Sequence, residues 1–504
     1  MLRLKLCLFR FRTQKYRQPS SLIMPHDHRS TELNYHGFTK WIAVLAACTT
    51  LMGGYGLACL NPGCTSASVA GNQDNVAIQI KTDNQTANYQ IRAEFDGLVV
   101  LETDDRQRKT VPMSVNADFR FAQTQADARQ AVRSYQHATA HIDLDGQKIQ
   151  NQLAENRRQV TVRLLSEEHR RPIQYFPAGG IIKQEELDLL TIPGDPLAFA
   201  GLLQTTGATI GEPWTASADA VRAFFALETV INNQISLMIK EQSSGQTKVY
   251  IMGQATGEVD GAYTEVRVAG VAVIDTAEQR LLAMRLNIDE NRDPSQLTPG
   301  FQGKARLEVR RNQAELPPVT QQASHAQAPK SARLLWNTDS EFELIYDPRW
   351  KIIISDPEAV VLRFGERGTV LAQCNVLQLP KRSPDRPAQL EEFRREVEKL
   401  IEDSKARITQ HDQFQLPDGC RVLRIVVFGI QDELQIAWLY YTINHPDGRR
   451  VALIFTIEQS VLGMFDLADQ RLVRGVRFVD QPVHAGQGLP TRQVSDLKSG
   501  NGDR

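Results

Sequence analysis

Residues 247–288 read TKVYIMGQATGEVDGAYTEVRVAGVAVIDTAEQRLLAMRLNI, and this stretch decides the fold class of the longer part of the chain. Apolar and polar residues alternate along it, which is typical of strands with one buried face. Gly257, Gly261 and the Asp275-Thr276 pair interrupt the alternation at short intervals. We therefore predict successive strands joined as an antiparallel meander, at 247–254, 262–268, 270–275 and 281–288.

The same alternation continues on the N-terminal side of this meander. Residues 76–80 and 160–164 have the period of strands, and residues 230–240 return to it just before the meander. Ser217 can cap a short helix between these segments. The region 75–311 is thus predicted to be a broad, curved, antiparallel sheet with short helices.

This arrangement of strands around a helix resembles the half-barrels of the LolA and LppX type, which are folds of bacterial envelope proteins. The resemblance rests on the number of strands and the position of the helix. It implies that one face of the strands between residues 230 and 288 lines an apolar cavity that can hold a lipid chain. A filled core is the alternative.

The C-terminal region, 334–480, mixes strands with amphipathic helices. The turn Tyr346-Asp347-Pro348-Arg349-Trp350 follows a short strand, and apolar residues recur every three or four positions from Leu390 to Ile401, which predicts a helix. Further strands are predicted at 360–364, 369–377, 421–428, 434–444 and 449–458, and a closing helix at 461–478.

The turn at Trp350 and this order of elements resemble the PsbP-like family over residues 342–478. The resemblance implies a compact αβα sandwich, and members of that family mostly act as binding or assembly modules. The complete chain is therefore predicted to be an α+β protein. Segments 312–333 and 481–504 lack apolar periodicity and are predicted to be a flexible linker and a disordered tail.

The N-terminal part of the chain carries a targeting signal. A basic leader, 1–40, precedes the uncharged run Trp41–Leu60, which is about as long as a membrane-spanning helix. The basic flank orients the rest of the chain outward. Segment 41–70 is therefore either a signal peptide, cleaved after Ala70, or a retained membrane anchor.

Two details of the leader leave further alternatives open. The sequence Gly56-Leu57-Ala58-Cys59 resembles a lipobox, which makes Cys59 a candidate site of lipidation. Translation from Met24 would shorten the basic leader to a more ordinary length.

Composition argues against a nucleic-acid partner, and the positions of the cysteines allow one disulfide. The formal net charge is -1 over 504 residues, and no basic stripe with interleaved aromatic residues is present, so no nucleic-acid partner is expected. Cys374 and Cys420 are the two cysteines of the folded regions. In an exported protein they are candidates for a disulfide, with two buried free thiols as the alternative.

Two motifs have the spacing of metal sites. His137 and His141 would share a metal ion only on a helix, but residues 137–144 alternate like a strand, which predicts two surface imidazoles. The sequence Asp143-x-Asp145-Gly146 begins like a calcium loop but lacks its later acidic ligands, so we interpret it as a hairpin turn. The acidic segment 289–293 is interpreted as a solvated hairpin tip.

Catalytic motifs are equally weak. Cys420 and His411 lie in one segment of the chain, but sequence proximity does not establish a nucleophile and its base. The sequence contains no GxSxG elbow, P-loop or strand-linked GxGxxG. We predict no catalytic residue, no metal ligand and no cofactor.

These observations lead to a functional hypothesis. We expect a non-enzymatic, exported envelope protein of bacterial type that acts in binding or assembly, with an unknown envelope protein or a lipid as its partner. Its location would be periplasmic or extracellular, and its leader would hold it at the membrane if uncleaved or lipidated. The alternatives are a carrier of lipids or other hydrophobic ligands that uses the N-terminal sheet, and a hydrolase of unrecognised type.

Overall fold

The structure, a computed structural model, describes residues 75–479 except 79, 81–85, 103–106, 167–168, 170, 178–179, 244, 313–332, 338–340, 356–358, 367 and 403. The predictions for the leader, the tail and most of the linker lie outside these residues. Strands dominate the described part. The prediction of an α+β chain that ends in an αβα sandwich is therefore wrong, because the helices that form are short and most of the chain pairs into large antiparallel sheets.

The first part of the chain contributes sixteen described strands. In chain order they are β1 (Asn75–Ile78), β2 (Thr86–Glu102), β3 (Arg108–Asp127), β4 (Gln130–Leu144), β5 (Gln147–Gln152), β6 (Gln159–Leu164), β7 (Ile173–Pro177), β8 (Ile181–Lys183), β9 (Thr205–Thr209), β10 (Pro213–Thr215), β11 (Thr229–Asn233), β12 (Ser236–Ser243), β13 (Gln246–Val259), β14 (Ala262–Asp275), β15 (Arg280–Arg292) and β16 (Gly300–Asn312).

Thirteen of these strands form one sheet, which we call the large sheet. Its order is β10-β12-β13-β14-β15-β16-β2-β3-β4-β6-β7, with β11 beside β13 and β5 beside β4. The predicted meander forms its centre as β13, β14 and β15, which pair in sequence. The predicted break between residues 268 and 270 is absent. Gly270 lies inside β14, and a Cβ atom there would be 2.2 Å from the Arg285 carbonyl oxygen, so the close approach of β15 explains the glycine.

Short helices pack on the inner face of the large sheet. They are α1 (Gln184–Leu190), α2 (Pro196–Leu203) and α3 (Ala218–Phe224). The start of α3 is as predicted, because the Ser217 hydroxyl accepts a hydrogen bond from the Ala220 amide at 3.2 Å. Phe199 and Phe224 from two of these helices are fully buried in the same apolar core as the inward side chains of the strands.

The second part of the chain forms a seven-stranded antiparallel sheet and a smaller edge sheet. Its elements are β17 (Arg333–Asn337), β18 (Phe342–Tyr346), β19 (Trp350–Ser355), β20 (Ala359–Glu366), β21 (Thr369–Leu379), α4 (Leu390–Ile401), β22 (Arg407–Gln415), β23 (Arg421–Gln431), β24 (Leu434–Asn444), β25 (Arg450–Glu458), a 3-10 helix (Gln459–Phe465), α5 (Ala468–Val473) and β26 (Val476–Phe478).

The order in the seven-stranded sheet is β19-β20-β21-β25-β24-β23-β22. Helix α4, predicted from its periodicity, packs Phe393 and Val397 on one face of it. The predicted closing helix at 461–478 is wrong, because the chain there divides into the 3-10 helix, α5 and β26. Gly475 marks the last change, since a Cβ atom at this position would lie 1.8 Å from the Ile345 carbonyl oxygen of β18.

A four-stranded sheet joins the two parts of the chain. Its order is β26-β18-β17-β8, and the β17–β8 pairing, which is parallel, connects a strand from before the linker to one that follows it. Leu334 of β17 is completely buried in the same core as Ile182 of β8. The two parts therefore share both a sheet and an apolar core.

The start of α5 stores backbone strain that a glycine would relieve. Leu467 has φ +55°, a conformation unfavourable for a residue with a Cβ atom, and 59% of the residue is exposed, so its side chain contributes little packing. We expect Leu467→Gly to raise the free energy of unfolding by about 0.5–1 kcal/mol in urea titrations. Met464, 54% exposed but without a positive φ, is the matched control. Met464→Gly should lower stability by a similar amount, and a loss in both variants would contradict the strain.

Candidate functional site

The two histidines predicted as surface imidazoles lie on strand β4. His137 and His141 are both exposed, and the strand places them about 13 Å apart along its axis. The His137 ring is engaged locally, with Nε2 2.8 Å from the Thr139 hydroxyl. Within the described ranges, no group of three or more His, Cys, Asp or Glu side chains is placed to hold a metal ion.

The acidic motifs fold in two different ways. Asp145 and Gly146 form the two-residue turn between β4 and β5, both with positive φ, so the hairpin interpretation is confirmed. The interpretation of 289–293 as a solvated tip is wrong. Residues up to Arg292 continue strand β15, and Glu290 and Arg292 are buried on its inner face, where they form an ion pair. The charges of Glu290 and Arg292 suggested a solvent-exposed segment, but the two side chains neutralise each other and can therefore be buried.

Cys374 and Cys420 are free and buried. Cys420 lies just before the start of β23, and the registers place the start of β23 level with Leu379 at the far end of β21. Cys374 lies five residues back along β21 from Leu379, and β21 is three strands away from β23 in the sheet. The separation is on the order of 20 Å, too great for a disulfide. His411 pairs with Ile425, five residues beyond Cys420, so it is not beside the thiol either. Burial and the adjacent Asp418 raise the pKa of Cys420 to about 12, which keeps it protonated. Cys59 and Ala70 lie outside the described residues.

The most deeply buried charges in the large sheet form one complete cluster. Arg133 of β4 and Asp195 at the start of α2 are 2% and 1% exposed. The guanidinium donates two hydrogen bonds to the carboxylate, at 2.8 and 2.5 Å, and a third to the Gln123 side chain at 2.7 Å. Asp195 also accepts from the Tyr175 hydroxyl at 3.0 Å and from the Leu197 amide at 2.9 Å, which caps α2.

This cluster holds a helix on a sheet and leaves no reactive group. Burial acts to lower the pKa of Arg133, but Asp195, together with Tyr135 and Tyr175, outweighs burial and raises it. Burial, assisted by Asp195, raises the pKa of Tyr175 well above its usual value. Both carboxylate oxygens of Asp195 are occupied by donors. The cluster therefore fixes the position of α2 rather than presenting a base or a nucleophile.

Two further buried charges bind backbone in the same way. Glu186 of α1 accepts from the Ala154 and Lys183 amides, each at 3.0 Å, and pairs with Arg157 at 2.6 Å. Arg222 of α3 donates to the Glu228 carbonyl at 2.8 Å and to the His169 carbonyl. Each side chain satisfies backbone groups that the ends of strands and helices leave open.

A polar contact joins the large sheet to the seven-stranded sheet. We call it the junction; Asp260 and Lys351 make the contact between the two sheets, and Asp188 of α1 and Tyr346 of β18 lie beside it. Asp260 starts the tight turn between β13 and β14, and its carboxylate lies 2.9 Å from the Lys351 ammonium group, which is almost fully buried. The fit around the turn is close: a Cβ atom on Gly368 would be 2.8 Å from the Gly261 Cα. The turn is therefore seated against the second sheet.

Asp188 of α1 is the unusual acid of the junction. It is buried, and Gln184 donates a hydrogen bond to its carboxyl group. Burial raises the pKa of Asp188 to about 8, although Arg171 and Lys351 act to lower it. Tyr346 of β18 is also buried, and burial together with Asp188 raises its pKa well above the usual value. The junction thus contains one carboxyl group that titrates near neutral pH.

The Asp260–Lys351 contact can be tested by substitution. Lys351→Met removes the ammonium group that offsets the desolvation of the Asp260 carboxylate, and we expect it to lower the free energy of unfolding by about 3 kcal/mol in urea titrations. Lys248→Met is the matched control, because Lys248 pairs with Glu241 at 2.8 Å on the exposed side of the large sheet. That change should have a much smaller effect, because solvent screens the exposed pair. Equal effects in the two variants would show that the junction contact adds nothing.

The strand face predicted to line a lipid cavity is packed. Inward side chains of β12 to β15 have essentially no accessible surface, which means that a water-sized sphere cannot touch them; they include Leu237, Ile239, Val249, Ile251, Ala272 and Leu286. A cavity large enough for a lipid chain would leave its lining residues accessible. The packing of this face therefore supports a filled core and gives no support to the lipid-carrier alternative.

Sequence reasoning missed every buried charge in these clusters. A signal existed for Asp195, because Asp-Pro before an apolar run is typical of a helix start. A signal also existed for Arg133, which occupies an inward position in the alternation of β4. Neither signal reveals the partner, since the two residues are far apart in the chain. Such pairs become visible only once the sheet order is known.

Comparisons with known proteins leave the family open. No family model matches the sequence, and no curated protein matches it significantly. Among solved structures, a Pseudomonas aeruginosa protein of unknown function, PA94, aligns with a TM-score of 0.21 and 10% identity over 30% of this chain and 98% of its own. Lipovitellin aligns with a TM-score of 0.28 and 8% identity over 49% of this chain and 27% of its own.

A third similar structure is the translocator domain of the autotransporter NalP from Neisseria meningitidis, with a TM-score of 0.11, 6% identity, and coverage of 75% of this chain and 90% of that one. Likenesses at these scores carry no argument about fold or function. The PsbP-like and LolA-type resemblances stay predictions. No helix among the described residues is long and apolar enough to cross a membrane.

Proposed function

We propose that this chain is a non-enzymatic, exported protein of a bacterial-type cell envelope that acts in binding or assembly. The observation that carries the proposal is the way its buried charges are used. Each of these buried side chains binds another charge or a backbone group of the same molecule; they are Arg133, Asp195, Glu186, Arg222 and Lys351. A catalytic site requires titratable groups that converge on a space where substrate can sit. Here they hold secondary-structure elements together instead.

The leader supplies the location in this proposal. The uncharged run Trp41–Leu60 behind a basic flank favours export, and the described body follows it from Asn75 onward. A large, exported body whose described buried charges brace its own elements is suited to presenting a surface to a partner.

Cell fractionation and intact-mass measurement test this proposal. We expect the protein in the envelope fraction, with a mass that begins at Gly71, that retains segment 41–70, or that carries acyl chains on Cys59. Each of these masses would support export and identify the fate of the leader. Recovery of an unmodified full-length chain from the cytoplasm would contradict the proposal. A stoichiometric lipid extracted with the protein would instead favour the carrier.

A further inference from the structure

The outer face of the large sheet is not uniform. Over its centre, strands β15, β16 and β2 carry charges that compensate one another across neighbouring strands. Glu308 of β16 lies 3.0 Å from Arg285 and 3.2 Å from Arg306, and Lys304 pairs in register with Asp96. Such a charge ladder is typical of a face turned to water.

Toward the β10 edge, the same face becomes apolar. We call this area the outer apolar patch; its members are partly or fully exposed and lie side by side in the registers of β12, β13 and β14: Met238, Tyr250, Met252, Ala269, Val271 and Val273. Met252 is 42% exposed. Lys240 borders the patch, and its ammonium group lies 4.8 Å from the centre of the Tyr250 ring. Lys248 also lies at the border, where it pairs with Glu241. A contiguous exposed apolar area is typical of an interaction surface, and Lys240 adds a positive charge at its border.

The described chain begins next to this patch. Asn75 of β1 pairs with Thr209 of β9, and Ile210 follows as an exposed apolar residue. The next residue, Gly211, donates its amide to the Ile239 carbonyl of β12 at 2.8 Å. Asn75 is therefore separated by one strand, β9, from β12, which carries part of the patch. Residues 61–74 connect it to the apolar run Trp41–Leu60 and can extend at most about 50 Å.

We propose that the outer apolar patch rests on the surface of an anionic lipid bilayer. This inference rests on the proposed function, in the form in which segment 41–70 is retained. The run Trp41–Leu60 would then hold the bilayer within reach of the patch. Tyrosine and lysine side chains beside apolar residues suit the boundary between headgroups and acyl chains. Pro213 occupies the edge strand β10 and lacks an amide hydrogen, so the face is better suited to a partner than the edge is.

Photocrosslinking to lipid tests the proposal directly. The full chain is incorporated into vesicles of phosphatidylethanolamine and phosphatidylglycerol that contain a photoactivatable phosphatidylglycerol, and the labelled peptides are identified by mass spectrometry. We expect label in residues 236–254 as well as in 41–60, and none in 421–444. Met252→Glu should reduce the label in 236–254 at least about tenfold, because a carboxylate at the bilayer surface opposes burial.

The matched control is Ile430→Glu, since Ile430 is 54% exposed on the seven-stranded sheet. This change should leave the labelling of residues 236–254 unaltered. Label confined to 41–60 would overturn the inference while leaving the anchored envelope protein intact. Crosslinks from the patch to a second copy of the chain, or a chain that does not float with the vesicles, would also overturn it. Failure of the proposed function is seen separately, as a cytoplasmic full-length chain in the fractionation experiment.

Discussion

Arg133→Met is expected to lower the free energy of unfolding by about 3–5 kcal/mol, because it leaves the buried carboxylate of Asp195 without its charged partner. Methionine fills much of the volume of the arginine stem, so the loss arises mainly from charge and hydrogen bonding. Asp195 would keep the Leu197 amide and the Tyr175 hydroxyl as donors but lose both bonds from the guanidinium. Urea titration monitored by circular dichroism measures the change.

Two further variants separate the ion pair from the local fold. Arg133→Met combined with Asp195→Asn should recover part of the stability, because asparagine is neutral and still caps α2. Arg120→Met is the matched control; Arg120 is exposed on the neighbouring strand β3 and lies 3.5 Å from Asp118. Its loss should cost less than about 1 kcal/mol. If Arg133→Met were as mild as Arg120→Met, the buried cluster would not be what holds α2 on the sheet.

Local patterns predicted the parts of the fold that local physics determines. The alternation in 247–288 identified the centre of the large sheet, since a strand with one buried face must alternate whatever its partners are. The Asp145-Gly146 turn and the start of α3 at Ser217 were also predicted correctly from the local sequence. Helix α4 was predicted because Phe393 and Val397 recur on one helical face.

The errors arise where distant contacts override the local pattern. Residues 461–478 contain enough apolar residues for a helix, but the chain at Val476–Phe478 pairs with Phe342–Leu344 of β18 and becomes a strand. Strand β22 was missed because most of its side chains are exposed and its sequence has little apolar alternation. The α+β prediction failed for the same reason, since the strands that pair far along the chain outweigh the helices.

The candidate sites follow the same division. The histidine and aspartate motifs were judged by their spacing, and spacing was sufficient to interpret His137, His141 and Asp145. The junction depends on Asp260 meeting Lys351, which follows 91 residues later, after three strands of the large sheet and the linker, and no local pattern contains such a contact. The outer apolar patch was hidden for a similar reason, because Met238, Tyr250 and Val271 become neighbours only through the registers of three strands.

The stability of this protein is expected to fall as the pH rises from about 4 to about 8, through the titration of Asp188. An aspartate in the unfolded chain has a pKa of about 3.9, whereas burial raises the pKa of Asp188 to about 8. Between these values the folded protein holds a proton that the unfolded chain has lost, so stability decreases with pH. The slope approaches about 1.4 kcal/mol per pH unit, and the total is on the order of 5 kcal/mol. Above pH 8 the contribution is constant.

Asp188→Asn removes this titration while keeping a carbonyl oxygen to accept from Gln184. The measurement is the difference in unfolding free energy between Asp188→Asn and the wild type at several values of pH, because titrations elsewhere cancel in that difference. The unfolding free energy of the variant should rise relative to that of the wild type as the pH approaches 8.

The charged and titratable groups that face Asp188 are Glu185, Arg171, Lys351 and Tyr346, and they remain in both proteins. Glu185→Gln is the matched control, since Glu185 is exposed on the same helix, and its difference from the wild type should stay small. A difference for Asp188→Asn that does not change with pH would mean that the buried carboxyl group ionises without cost. The junction would then hold its two sheets together equally well with Asp188 charged or neutral.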